Sequence, residues 1–397
     1  MLLRRMSFWL GLGLTFSACQ LPEQSADWVL VNGKIYTLTD QGAMVAALAI
    51  RDDRIVFAGD SQAVRAYMGP ATCVWDLSGS TVLPGFTDGH IHPVAGASYL
   101  LDCDLTGLKD AGDIRKVILD FAEGHPNKTW IVGNGFWLPA IEGGMPTRET
   151  LDLLVPDRPA FIRSADGHSA WVNSRALELA GIHKNTPQPV NGVIEKDPFT
   201  GEPIGTLRES TSTLVSRLIP PLSTDERVSA LENAIQIANS HGVTSWVHAS
   251  VTKEDIEAYL EVEKRGKLTL YPTLSILADI RQGSKAVLAV DSLYRLYQPR
   301  SSRIRMNSTK IFIDGVIEGK TAALLEPYVN ETHSGLAYQD PEIYQAMIAA
   351  FEEKGFQVHV HACGDLGVRM TLDAYAYARE KNGIGDHRHH IVHMQLV

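Results

Sequence analysis

The sequence predicts an α/β protein: a (β/α)8 TIM-type barrel, with strands one to six present, preceded by a small N-terminal β-sandwich module. Three observations predict it. Through the second half of the chain, apolar strands alternate with amphipathic helices, the pattern of a parallel sheet with helices packed on it. Histidines stand at the ends of several of those strands, where barrels of this kind gather their functional residues. Before Val82 the texture differs, with short alternating strands broken by turn residues. A chain of 397 residues, 45% hydrophobic and 21% charged, has ample material for a large core. Its net charge of −10, without basic clusters, argues against nucleic acid as a partner.

The N-terminus reads as an export signal over residues 1–18. Arg4 and Arg5 supply its positive end, and Met6 to Phe16 form an apolar run too short to span a bilayer. It closes on Phe16-Ser17-Ala18-Cys19, which resembles a bacterial lipobox. Cys19 is then the lipidated first residue of the mature chain, and the expected location is exported: membrane-anchored through that lipid, or periplasmic. The other cysteines, Cys73, Cys103 and Cys363, lack CxxC spacing and are odd in number. Each is expected to be a buried thiol rather than part of a disulfide framework.

Residues 27–82 are expected to form a partial β-sandwich. Val29 to Tyr36, Ala46 to Ile50 and Arg54 to Gly59 read as strands, with turns at Asn32-Gly33 and Arg51 to Arg54. Residues 83–397 hold the barrel. Strand one is the run ending in His90-Ile91-His92. Strands two to six are Gly242 to His248, Leu268 to Leu274, Ser308 to Asp314, Phe356 to His361 and His389 to His393. Helices are expected at Thr224 to His241 and Asp340 to Lys354. A stretch rich in Pro, Gly and turn residues, about 109–220, interrupts the alternation and reads as an insertion.

Strand geometry identifies the chemistry. Residues i and i+2 share one face of a strand, so His90 and His92 can reach one ion, and imidazole is the commonest protein ligand for zinc and its neighbours. Lys310 sits inside strand four, where a bare ammonium is costly to bury without a partner or a chemical change. His361 ends strand five and His393 ends strand six. His359 shares the face of His361 one layer deeper and reads as a hydrogen-bonded core residue. His389 is expected on the side of His393, with His390 pointing outward. His248 faces the barrel mouth or its wall. Asp166 and His168, in the insertion, are candidates for substrate contact or for structural hydrogen bonds. Cys363 lacks the partners of a catalytic triad.

Longer motifs carry a family resemblance. They are Pro84-Gly85-Phe86-Thr87-Asp88-Gly89-His90-Ile91-His92, Asp166-Gly167-His168-Ser169-Ala170-Trp171-Val172-Asn173-Ser174, Lys310-Ile311-Phe312-Ile313-Asp314-Gly315 and Val360-His361-Ala362-Cys363-Gly364-Asp365. The chain resembles the amidohydrolase superfamily, in particular the amidohydrolase-3 branch that includes N-substituted formamide deformylases. The resemblance implies one or two divalent ions, zinc foremost, with His90 and His92 on the first and His361 and His393 on the second. It implies that Lys310 is N-carboxylated and bridges them. It also implies hydrolysis of a C–N bond in a small-molecule amide or cyclic amide by metal-activated water. In the family an Asp on strand eight shuttles the proton. This chain reaches Val397 four residues after His393, so the expectation is a truncated and inactive chain. Two other classes stand beside the amidase: a non-catalytic binding lipoprotein, and a metal-dependent esterase or phosphoesterase on the same fold.

Overall fold

A computed structural model describes residues 25–39, 44–189, 192–298, 301, 303–317 and 319–397. The expected export signal and Cys19 lie outside the described residues. Within them, no helix is long and apolar enough to cross a membrane. The chain divides into two compact units, Met1–Gly85 and Phe86–Val397.

The first unit holds two small sheets. Four strands, in the order Arg54–Gly59, Ala47–Arg51, Trp28–Val31 and Cys73–Asp76, make one; Met44–Val45, Lys34–Tyr36 and Thr81–Val82 make the other. The turn expected at Asn32-Gly33 separates Trp28–Val31 from Lys34–Tyr36, with Asn32 at a φ of 57°. Ala26, Val29, Ala47, Ala49 and Val64 form a compact core. Cys73 corrects the expectation of a buried thiol. It opens an edge strand exposed along its whole length, with no partner on its outer side to cover it. Cys103 and Cys363 are buried and unbridged.

The second unit is organised by a six-stranded parallel sheet. Its strands are β1 (Phe86–Ile91), β2 (Val243–Val251), β3 (Tyr271–Leu277), β4 (Arg305–Phe312), β5 (Gln357–Ala362) and β6 (His390–His393), and each pairs with the next in chain order. Helices α1 (Thr224–Ser240), α2 (Lys253–Lys264), α3 (Ser284–Tyr297), α4 (Pro341–Glu353) and α5 (Asp365–Asn382) connect them. Local chemistry sets their limits. Ser223 with Glu226 and Thr252 with Asp255 form capping boxes on α1 and α2. A proline opens α4, and α5 stops at Gly383, whose φ of 91° no side chain tolerates well. Strand β3 begins three residues later than expected, because Leu268 and Leu270 precede it as buried loop residues.

Alternation along β4 and β5 sorts the side chains. Ile311, Val358 and Val360 pack outward against Tyr344, Met347 and Ile348 of α4. Lys310, His359 and His361 face the other way. The sheet curls toward that inner face. Strands spaced ~4.8 Å apart would put β1 and β6 about 24 Å from each other in a flat sheet. The rings of His90 on β1 and His393 on β6 are nevertheless only 5.0 Å apart.

The stretch read as an insertion builds a mixed sheet of its own within this unit. Its order is Gly192–Lys196, Pro203–Glu209, Ser169–Val172, Ala160–Ser164, Ile131–Phe136 and Cys103–Asp104. The first of these strands in the chain, Cys103–Asp104, precedes the expected start at 109.

Candidate metal centre

The concave face of the parallel sheet collects imidazoles. His90 ends β1, where the Asp88 carboxylate accepts its backbone N–H at 3.0 Å. Its ring centroid lies 5.1 Å from that of His92, 4.9 Å from His359 and 5.0 Å from His393. His361 and His393 stand 4.5 Å apart. Thus four of the five residues expected to hold metal meet ring to ring, although they come from β1, β5 and β6 and the turns that follow.

Lys310 is the fifth. It is fully buried on β4, and its Nζ has no hydrogen-bond partner among the described residues. The Phe312 ring lies 5.1 Å from it, and Cys363 is the titratable neighbour that favours its charged form. Burial pulls its ammonium down to about 7. The same amine in its charged form opposes protonation of the histidines around it. Burial first, then Lys310, lowers His90 to about 4 and His359 to about 2. For His393, burial and then His361 precede Lys310 in lowering it to about 4. The Asp314 carboxylate reaches only the edge of this set, 3.7 Å from His361 Nε2; the other nitrogens repel one another when protonated, and such a set is suited to a divalent cation.

Hydrogen bonds assign which ring nitrogens are free. His361 Nε2 lies 2.9 Å from the Gly315 carbonyl oxygen. A carbonyl only accepts, so Nε2 carries the proton and Nδ1 keeps the lone pair. His90 Nε2 is a buried atom without a hydrogen-bond partner among the described residues. The loop carrying His361 is pinned by Asp314, whose carboxylate accepts the backbone N–H groups of Cys363, Gly364 and Ala323 at 2.9, 2.8 and 3.0 Å. Gly364 is required there: a Cβ would fall 2.0 Å from the Ala323 oxygen.

Two tighter groups of donor atoms occur among the described residues, each within 4.8 Å: Asp314, His361 and Cys363, and Glu352, His387 and His389. Hydrogen bonds already occupy both. In the first, His361 Nε2 serves the Gly315 carbonyl and Asp314 holds three backbone donors. In the second, His389 Nδ1 accepts the Val358 N–H at 3.0 Å, so Nε2 carries the proton and donates to Glu352 at 2.8 Å. Asn382 gives Glu352 a further bond of 3.1 Å.

That arrangement reverses the expected facing on β6. His389 points out toward α4, while His390 points in, its ring 4.0 Å from His359. His393 then reaches the inner face despite its parity because its φ of 79° turns the backbone, and the Met394 N–H is held by the Ala362 carbonyl at 2.9 Å. Simple alternation fails where a strand ends in a left-handed residue.

The remaining candidates are engaged in other bonds. His248 is buried against the helical wall. Its Nδ1 is 3.2 Å from the Tyr259 hydroxyl of α2, which also accepts the Trp246 indole N–H at 2.9 Å. Asp166 accepts bonds from the Ser164 hydroxyl and the His168 N–H, and His168 Nδ1 lies 3.1 Å from Glu209. Both are exposed, and these bonds stay within the insertion sheet. Glu209 itself is held at a φ of 52°. Sequence reading passed over the roles of Asp314 and Glu352. The Asp-Gly after strand four was the available signal for Asp314, whereas nothing local marks Glu352.

Comparison with known proteins gives a consistent set. The amidohydrolase family profile matches residues 74–397. A putative amidohydrolase of Bacillus subtilis is 32% identical over 375 residues, covering 92% of this chain and 68% of that protein. The N-substituted formamide deformylase of Arthrobacter pascens is 28% identical over 375 residues, covering 90% and 67%. Among solved structures, an uncharacterized metal-dependent hydrolase from Pyrococcus furiosus superimposes with a TM-score of 0.70 at 27% identity, covering 89% of this chain and 70% of that one. The chain spans about two thirds of the length of the curated relatives that it matches along most of its own, from 64% to 78%.

Proposed function

This chain belongs to the amidohydrolase family, in its amidohydrolase-3 branch, and from that premise we propose that it carries the metal centre of an enzyme hydrolysing the C–N bond of a small-molecule amide or cyclic amide. On this reading the curled sheet is an arc of a (β/α)8 barrel, and residues 27–82 are part of a β-sandwich. The single observation that supports it most is the convergence of His90, His92, His361 and His393 around the unpartnered Lys310.

Those residues would hold one or two divalent ions, zinc foremost. When bound, such an ion lowers the pKa of a water molecule and polarises a carbonyl. The chain's own groups do the holding. Low proton affinity keeps His90 and His393 neutral, with lone pairs available at working pH. The Gly315 carbonyl turns the His361 ring so that Nδ1 is its free nitrogen. Burial leaves a large neutral fraction of Lys310 amine near pH 7. In that neutral form the amine would add to CO2, forming an N–C bond and releasing one proton, and would supply an anionic oxygen donor in place of a bare buried amine. Proton delivery to the leaving nitrogen is assigned to no described residue. Asp166 and His168 are proposed as substrate contacts. Export and a lipid anchor on Cys19 are part of the same proposal.

The test is metal content paired with a substrate panel. Purified chain should retain zinc, and the double variant His90→Ala, His92→Ala should lose it. Amides, esters and phosphoesters are then compared on the zinc-loaded protein. Absence of zinc retention in the parent chain, or a preference for phosphoesters, overturns the reading.

A further inference from the structure

His359 has no task in the reading above, yet it is the most tightly built residue of the cluster. It is wholly buried on β5. Its Nε2 lies 2.9 Å from Nδ1 of His90. Its Nδ1 lies 3.3 Å from the Ser275 hydroxyl on β3, which is 2.8 Å from the Ser308 hydroxyl on β4. Both serines are fully buried. The His390 ring packs against His359 at 4.0 Å between centroids, tilted by 41°, and both His359 ring nitrogens serve this chain of bonds.

Protons can be ordered along the chain in two ways. In one, Ser275 donates to His359 Nδ1, His359 Nε2–H donates to His90 Nδ1, and His90 is left with its proton on Nε2. In the other, His90 Nδ1–H donates to His359 Nε2, His359 Nδ1–H donates to Ser275, and Ser275 donates to Ser308. The first order aims a buried, unsatisfied N–H at the centre of the cluster, because His90 Nε2 has no hydrogen-bond partner. The second aims a lone pair there. Only the second makes His90 a ligand, and a ligating imidazole ordinarily has its tautomer set by the bond that its other nitrogen makes.

We propose that His359 is a positioning residue: it accepts the His90 Nδ1 proton, frees Nε2 for the ion, and is itself oriented by the Ser275–Ser308 pair. The proposal rests on the metal-centre reading and adds to it a residue that touches neither ion nor substrate.

The experiment has two readouts on the full chain. In metal-free protein labelled with 15N-histidine, the His90 signals, identified by their loss in His90→Ala, should show a protonated Nδ1 and a bare Nε2. Zinc alone, titrated against a chromophoric chelator, gives the affinity. His359→Leu removes the acceptor and should weaken zinc about 10–100-fold, while His359→Gln, whose amide oxygen accepts the same proton, should stay within about threefold of the parent. The tautomer is read on the labelled parent chain, so it is judged whether or not either His359 variant folds. Zinc binding with the proton on His90 Nε2, or equal zinc affinities in the Leu and Gln variants, overturns the positioning role. A parent chain that binds no zinc overturns the metal centre instead.

Discussion

Lys310 offers the sharpest test of the site's electrostatics, because its replacement by methionine should make the metal-free protein more stable. Methionine keeps the unbranched stem and removes the charge. In the folded chain, burial lowers the ammonium from 10.5 to about 7. At about 1.4 kcal/mol per pH unit, burial therefore disfavours the charged form by about 5 kcal/mol. The sign follows from proton counting. Between pH 7 and 10.5 the unfolded lysine holds a proton that the folded one has lost, so the wild-type chain gains stability as pH rises through that window. Lys310→Met is exempt from this gain. Urea unfolding of both proteins, metal-free and in CO2-depleted buffer, should show the variant ahead by up to ~5 kcal/mol at pH near 7, with the gap below about 1 kcal/mol near pH 10. A variant no more stable than the parent at neutral pH, or a gap that does not close, would refute the account of Lys310 as a buried amine without a partner.

Two further outcomes follow from the geometry and one from the sequence. Asp314→Ala leaves three buried backbone N–H groups without their acceptor; at ~1–3 kcal/mol each, a loss of about 3–9 kcal/mol is expected in thermal or urea unfolding, and a loss below about 1 kcal/mol contradicts the clamp. Glu352→Ala strips the bonds from His389 and Asn382, costing ~2–3 kcal/mol and speeding amide hydrogen exchange in His390–His393; unchanged exchange there counts against the brace. For the proposed anchor, cells given a fatty-acid analogue should label the parent chain and leave Cys19→Ala unlabelled, and equal labelling of the two rejects lipidation at Cys19.

Family, strand order and the inner face of β5 were legible in the sequence because each depends on short-range pattern. Apolar runs set the strands, capping residues such as Ser223 and Thr252 set the helices, and i, i+2 spacing put His359 beside His361. Where that pattern is interrupted, local reading fails. The left-handed residue His393 breaks the alternation of β6, so its own parity does not tell that His390 faces inward and His389 outward, and an exposed edge strand leaves Cys73 uncovered. The centre itself belongs to tertiary structure. Sequence placed a lysine on strand four, but that its amine has no partner depends on every side chain the curled sheet brings around it. His90 and His359 are separated by 269 residues, and no spacing rule connects them. Their 2.9 Å contact exists because β1 and β5 face each other across a curl whose radius is set by the packing of five helices outside it. Sequence specified which groups were available for chemistry; the curvature of the sheet decided which nitrogens were left free to perform it.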